Sequence, residues 1–294
     1  MAEGFVLVDK PGGWTSHDVV GRCRRIFGLR RIGHAGTLDP MATGLLVVAL
    51  GRATRLLRFV QETAKTYEAT AVFGVATDSL DADGAILSQE EMRFDEAELR
   101  TVARRFLGVI QQVPPMVSAI KVEGRRLYQL ARSGVEVDRP ARPVEIHSLD
   151  LVEVTPGMYP QVSFRVTCGS GTYIRVLADD MARALGGRAH LSALRRTTIG
   201  PHRVEDAHTI PALEDAAAAG TLDAVVLAPA QGLSHLPGVV VDAATALAVH
   251  NGATFAAGPL AAVQGWCRVL DEGGGLLGVY RGDGRRASAE VVMG

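Results

Sequence analysis

The chain has 294 residues, 47% hydrophobic and 21% charged, enough to bury a large core and to make two domains of globular composition. No apolar run reaches the roughly 20 residues needed to span a bilayer, and the N-terminus carries no signal-peptide pattern, so a cytoplasmic protein without membrane attachment is expected. Cys23, Cys168 and Cys267 are odd in number and too widely spaced for a metal knuckle, which points to reduced thiols acting as small core residues. The net charge of −1 excludes a chain that is basic throughout, but it hides a split. Residues 1–204 carry 27 Lys and Arg against 22 Asp and Glu, residues 205–294 carry 4 against 10, and an anionic partner is expected to meet the first part.

In chain order, Phe5-Val6-Leu7-Val8 reads as a short apolar strand closed by the turn Asp9-Lys10-Pro11-Gly12-Gly13. Thr15 or Ser16 is a candidate N-cap for a helix to about Leu29, with Val19, Val20, Cys23 and Ile26 facing inward. Arg22, Arg24, Arg25, Arg30 and Arg31 lie on or just beyond it, as a phosphate clamp or as a solvated face. Residues 33–46 set Asp39 among Gly, Thr and Pro, then pass into the apolar run 45–50. Pro40 biases Asp39 toward an extended conformation, so its carboxylate sits on a turn anchored to a buried strand.

Residues 67–75 alternate as a strand, with Tyr67, Ala69, Ala71 and Phe73 on one face. The acidic stretch 77–84 resembles a calcium loop superficially but lacks the bidentate acid at its end and a flanking helix pair. Asp95 opens an amphipathic helix over 95–107. Residues 114–143 interleave Lys121, Arg125, Arg126, Arg132, Arg139 and Arg142 with Tyr128 between prolines, as an arm suited to an RNA backbone would. Strands are expected near 144–154 and 161–168, then Gly171-Thr172-Tyr173-Ile174-Arg175 with Arg175 opening a helix to about Leu185, then the run 190–196. The Ala-rich stretch 212–237 reads as a connection to a small, mostly β region with strands near 260–270 and 276–281.

Several of these pieces together resemble one family, the TruB-type tRNA pseudouridine synthases. They are Val8-Asp9-Lys10-Pro11 with Thr15-Ser16, residues 33–46, Lys65-Thr66-Tyr67, Pro114 to Lys121, Gly171 to Arg175, and the 190–196 run. The resemblance spans roughly residues 4–205 and implies an α+β fold. Its catalytic domain, 1–235, would have a mixed, largely antiparallel sheet and the basic arm 114–143, and 236–294 would be a small PUA-like domain. The related dyskerin-like enzymes carry longer basic extensions, so a stand-alone bacterial-type enzyme, acting as a monomer, is expected. Arg55 stands where lysine is usual and Ser79 where threonine is usual, and both are expected to lie outside the chemistry.

The implied reaction isomerises the T-loop uridine 55 of tRNA: the N1–C1′ bond breaks, the uracil turns, and C5 bonds to C1′. No atoms are gained or lost, so no cofactor and no metal are expected. The resemblance makes Asp39 the nucleophile and Arg175 its cationic partner. It gives Tyr67 to the flipped uracil, as stacking partner and candidate C5 base, sets His34 against the RNA loop, and makes Tyr173 and Leu194 walls of the pocket. Lys121, Arg125, Arg126 and Arg132 would contact the RNA backbone. A tRNA-binding folding chaperone with dispensable catalysis and a glycosidase that frees uracil are the rival readings.

Overall fold

The computed structural model describes residues 3–116, 121–122, 125–126 and 137–293. They fall into two compact units: residues up to 38, 45–62 and 199 onward form the first, and residues 39–44 and 63–198 the second.

In the first unit, β1 (Gly4–Lys10) lies beside β3 (Thr43–Leu50), and the short β2 (Ile32–His34) pairs antiparallel with β3. Alternate side chains of these strands enter two different cores. Phe5, Leu7, Leu45, Val47 and Ala49 join one cluster, while Val6, Val8, Leu46, Val48 and Leu50 join another. Both faces are therefore buried, which explains an apolar run without polar alternation. Helix α1 (Ser16–Phe27) covers the second face with Val19, Val20 and Cys23. Thr15 and Asp18 form a capping box at its start, and Gly28, at φ 63°, ends it two residues before the expected Leu29.

The second unit holds a sheet in the order β12 (Ala189–Ile199), β4 (Lys65–Phe73), β11 (Gln161–Cys168), β10 (Arg142–Thr155) and β7 (Gly108–Gln112). From β4 to β7 each neighbouring pair is antiparallel. At the other side Thr43 and Gly44 pair in parallel with Arg195 and Arg196, so the arrangement is mixed and largely antiparallel, as expected. β4 buries Tyr67, Ala69, Ala71 and Phe73 and turns Glu68, Thr70 and Val72 outward. The acidic stretch joins the strands Val75–Thr77 and Ile86–Gln89, not a helix pair. Helix Glu96–Arg104 starts from an Asp95–Glu98 capping box, and helix Ile174–Ala184 follows the 169–173 loop.

Residues 212–237 are not the loose connection the sequence suggests. They run through helix Ile210–Ala218 and the short helix Pro229–Gly232, Leu227 exchanges two backbone hydrogen bonds with Phe5, and Leu213 and Leu233 are core residues of the first unit. Gly232 is required by close packing: a Cβ on it would lie 2.0 Å from the Phe5 ring. Beyond them a four-stranded sheet is built in the order Gly238–Val240, Gln264–Leu270, Leu276–Asp283 and Ala287–Val292. Val249, Leu260, Cys267, Val269 and Tyr280 form its own core, while Val279, Val291 and Met293 join Phe5 and Phe59 in the N-terminal one.

Candidate functional site

Asp39 owes its position to its neighbours on the chain. Ser16 Oγ accepts from the Leu38 amide at 2.8 Å and donates to the Leu38 carbonyl at 3.1 Å, which pins the residue before it. The Ala42 amide then donates to the Asp39 carbonyl at 3.1 Å and closes the turn. Gly44, at φ 100°, leads out of it, and a Cβ there would lie 2.3 Å from the Arg196 carbonyl oxygen, so only glycine fits.

Arg175, 2% exposed, reaches the carboxylate from the start of helix Ile174–Ala184. Its Nε lies 2.9 Å from Asp39 Oδ2, and its Nη1 lies 3.0 Å from Asp81 Oδ2 and donates to the Ser79 carbonyl at 2.6 Å. One buried guanidinium thus serves two acids. Asp81 is nearly enclosed, with a side chain 7% exposed, whereas that of Asp39 is 33% exposed and open to a substrate. The turn between Ser79 and Asp81 holds Leu80 at φ 62°, the sole non-glycine residue with positive φ among those described. That strain is offset locally, since the Leu191 amide donates to the Leu80 carbonyl and Thr77 Oγ1 donates to that of Asp81.

Tyr67 is buried beside this pair. Burial pushes its phenol pKa up, and Arg196, whose Cζ is 6.0 Å from the ring centroid, pulls it back by its charge and by a hydrogen bond. Lys65, two residues away on the same face of β4, is pushed down to about 8, first by burial and then by Arg196. Cys168, its cross-strand partner, is pushed up to about 11 by burial and is no thiolate at neutral pH.

The structure thus brings Asp39, Arg175 and Tyr67 together. Leu194 is buried on β12 and, with Met41, Thr43, Thr70, Ser163 and Ser192, lines a cleft of about 550 Å³. Tyr173 is half-buried and precedes the Arg175 helix. His34 closes β2 in the first unit, where its carbonyl accepts from Gln61 Nε2 at 3.4 Å. In the arm, Lys121 pairs with Arg126 and Val122 with Arg125 along the backbone, and Arg132 lies outside the described residues. At its base Arg139 Nη1 donates to the Pro114 carbonyl at 3.0 Å.

Ser79 lies beside the Asp39–Arg175 pair: its carbonyl accepts from the same guanidinium and its hydroxyl donates to Asp81. Sequence reading assigns no role to Asp81 or Arg196, although both lie in stretches singled out there. The signal for Asp81 was present in the acidic stretch 78–83, where a buried acid requires a cation, but nothing local named Arg175 as that cation.

Residues 24–174 match the TruB family pseudouridylate synthase N-terminal domain, and residues 175–233 match the tRNA pseudouridylate synthase B C-terminal domain. The chain belongs to the TruB family of pseudouridylate synthases. A protein of Burkholderia pseudomallei (strain 668) named tRNA pseudouridine synthase B is 46% identical over 285 residues, 95% of this chain and 93% of that protein. One of the same name from Thermobifida fusca (strain YX) is 52% identical over 219 residues, covering 72% of this chain and 75% of the relative. Among solved structures, a chain of a Cbf5-Nop10-Gar1 complex is 28% identical with TM-score 0.73, covering 95% of this chain and 78% of its own. A chain of an H/ACA RNP bound to a substrate RNA containing 2′-deoxyuridine is 25% identical with TM-score 0.75, covering 99% and 85%. Among the described residues, no helix is long and apolar enough to cross a membrane.

Proposed function

We propose that this TruB-family chain converts uridine 55 of tRNA to pseudouridine, with Asp39 as the nucleophile. The observation that carries the assignment of Asp39 is its ion pair with the buried guanidinium of Arg175. A half-open carboxylate held by a buried guanidinium keeps its aim and its access to a sugar or base carbon.

The target base is stacked in folded RNA, so it is flipped out at a cost of about a few kcal/mol. Tyr67 stacks on the extruded uracil, Tyr173 and Leu194 close the pocket, and His34 braces the RNA loop. Asp39 forms a transient bond to the base or the sugar, the N1–C1′ bond breaks, the uracil turns so that C5 bonds to C1′, and the bond to Asp39 breaks again to free its carboxylate. C5 then loses its proton and N1 gains one, leaving an isomer with nothing added or removed. The raised pKa of Tyr67 keeps it a neutral phenol at neutral pH, which favours stacking over service as a standing base.

The substrate region we assign is the T stem-loop, gripped along its backbone by Lys121, Arg125, Arg126 and Arg132 of the 114–143 arm. Residues 1–235 form the catalytic domain in this reading, and 236–294 a PUA-like RNA-binding domain. The enzyme acts as a cytoplasmic monomer. A chaperone with dispensable catalysis is not favoured, since the relatives spanning nearly the whole chain are named for the synthase activity.

The test is Asp39→Asn. The variant retains tRNA binding and releases no tritium from C5-labelled uridine. Wild-type turnover would remove Asp39 from the mechanism, and free uracil with an abasic site from the wild-type enzyme would indicate a glycosidase.

A further inference from the structure

Strand β7 has its polarity reversed. Val109 is 69% exposed, and the one fully buried residue of the strand is polar, Gln112, at 1% exposure. A buried amide costs stability unless its oxygen and nitrogen both find partners. Both partners of Gln112 belong to a single residue, Tyr173. Its Oε1 accepts from the Tyr173 amide at 3.0 Å, and its Nε2 donates to the Tyr173 carbonyl at 3.3 Å.

Tyr173 is the N-cap of helix Ile174–Ala184, and no side chain caps that helix from within its own sequence. Other helices do this locally, through Thr15, Asp95, Thr209 and Asp242. Here the cap position carries a tyrosine, whose side chain cannot bond the first-turn amides, and the first turn has no acidic residue. Yet this helix start must be placed accurately, because Arg175 lies two residues further on.

We propose that Gln112 is a positioning residue for the isomerisation: its side-chain amide clamps the Tyr173 backbone and so fixes the Arg175 guanidinium against Asp39. The proposal rests on the reading of Arg175 as the partner of the nucleophile. The clamp requires an amide, with acceptor and donor side by side to match the N–H and C=O of one residue. Methionine has the volume but neither function. An ionised glutamate accepts from the N–H but repels the carbonyl, whereas a protonated one restores the donor. A glutamate buried beside a carbonyl titrates above its usual value of about 4.3, which brings the switch within reach of enzyme assays.

Single-turnover tritium release from C5-labelled tRNA is measured for Gln112→Met and Gln112→Glu, with tRNA affinity and thermal melting in parallel. The Met variant is expected to lose about 10- to 100-fold in rate, the scale of a 1 Å misplacement, with tRNA affinity within about twofold of wild type. Gln112→Glu matches it at about pH 8, and its deficit relative to wild type shrinks toward about pH 6 as the carboxyl gains its proton. A rate within twofold of wild type for the Met variant overturns the clamp, as does a loss confined to tRNA affinity or a Glu deficit that does not change with pH. If the Met variant does not fold, the pH comparison of Gln112→Glu decides alone. Arg175→Met is run beside them: full activity in that variant defeats the reading of Arg175, whereas its inactivity beside a wild-type-like Gln112→Met defeats only the role of Gln112.

Discussion

Asp81→Asn isolates the sharing of one guanidinium between two acids. Asparagine keeps the shape and one hydrogen bond to Arg175 Nη1, now at 3.0 Å from a carboxylate, but removes the charge. The bond that remains still has a charged donor and contributes about 1.5–3 kcal/mol, so the swap removes only the attraction between the two charges. Leaving a buried charge with no partner costs about 3–5 kcal/mol, but Arg175 retains Asp39, which sets that figure as a ceiling. The guanidinium keeps its hydrogen bonds on the Ser79 side but loses the competing charge, so it pairs more strongly with Asp39, and a nucleophile bound more tightly in the ground state is a poorer one. We expect a loss of about 1–3 kcal/mol in the chemical step, roughly 5- to 150-fold in single-turnover rate. Binding of tRNA stays unchanged, because Asp81 is enclosed and meets no RNA. Tritium release and filter binding on the same preparations separate the two. A rate within twofold of wild type, or a loss that falls entirely in tRNA affinity, would refute the account of Arg175 as a shared cation.

Other outcomes can be stated more briefly. Neutralising Arg125 and Arg126 lowers tRNA affinity and flattens its dependence on log salt by about one unit for each phosphate left without its cation, measured by binding isotherms from low to high salt. Gly44→Ala forces a side chain at φ 100° onto the Arg196 backbone and costs at least about 1–2 kcal/mol, seen as a lowered urea midpoint. His202 and His235 both sit below their ordinary value of 6.5 because of burial, while each donates its Nε2–H to a backbone carbonyl, that of Gly232 and that of Phe59 respectively. The unfolded chain therefore binds more protons in acid, and stability is full above about pH 6.5 and falls as pH drops through the lowered folded values. Urea melts from neutral to acid pH follow this, and His235→Gln lessens the slope.

Legibility in the sequence followed the range of the forces involved. Alternation along 67–73 named the buried face of β4, and the pair Thr15-Ser16 marked the start of α1, because both signals are local. Asp39 was legible through its turn residues and its family resemblance. What remained hidden was non-local. Asp81 meets Arg175 across 94 residues of chain, and the Tyr67 phenol meets Arg196 across two strands, so neither pairing leaves a spacing to read. The 212–237 stretch misled for a related reason: its many alanines look like a linker, whereas Leu213 and Leu233 anchor it in the cores and Gly232 lies against Phe5.

The strand that follows Asp39 carries a liability of its own. Residues 45–50 are uncharged, contain neither proline nor glycine, and are fully shielded from water only once two separate cores have closed over them. Outside the folded state such a segment is a template for strand pairing with other copies of the chain. Substitutions that slow the closing of either core are therefore expected to surface as insoluble protein before they surface as slow enzyme. The stiffness that aims one carboxylate is the same property that makes the nascent chain prone to self-association.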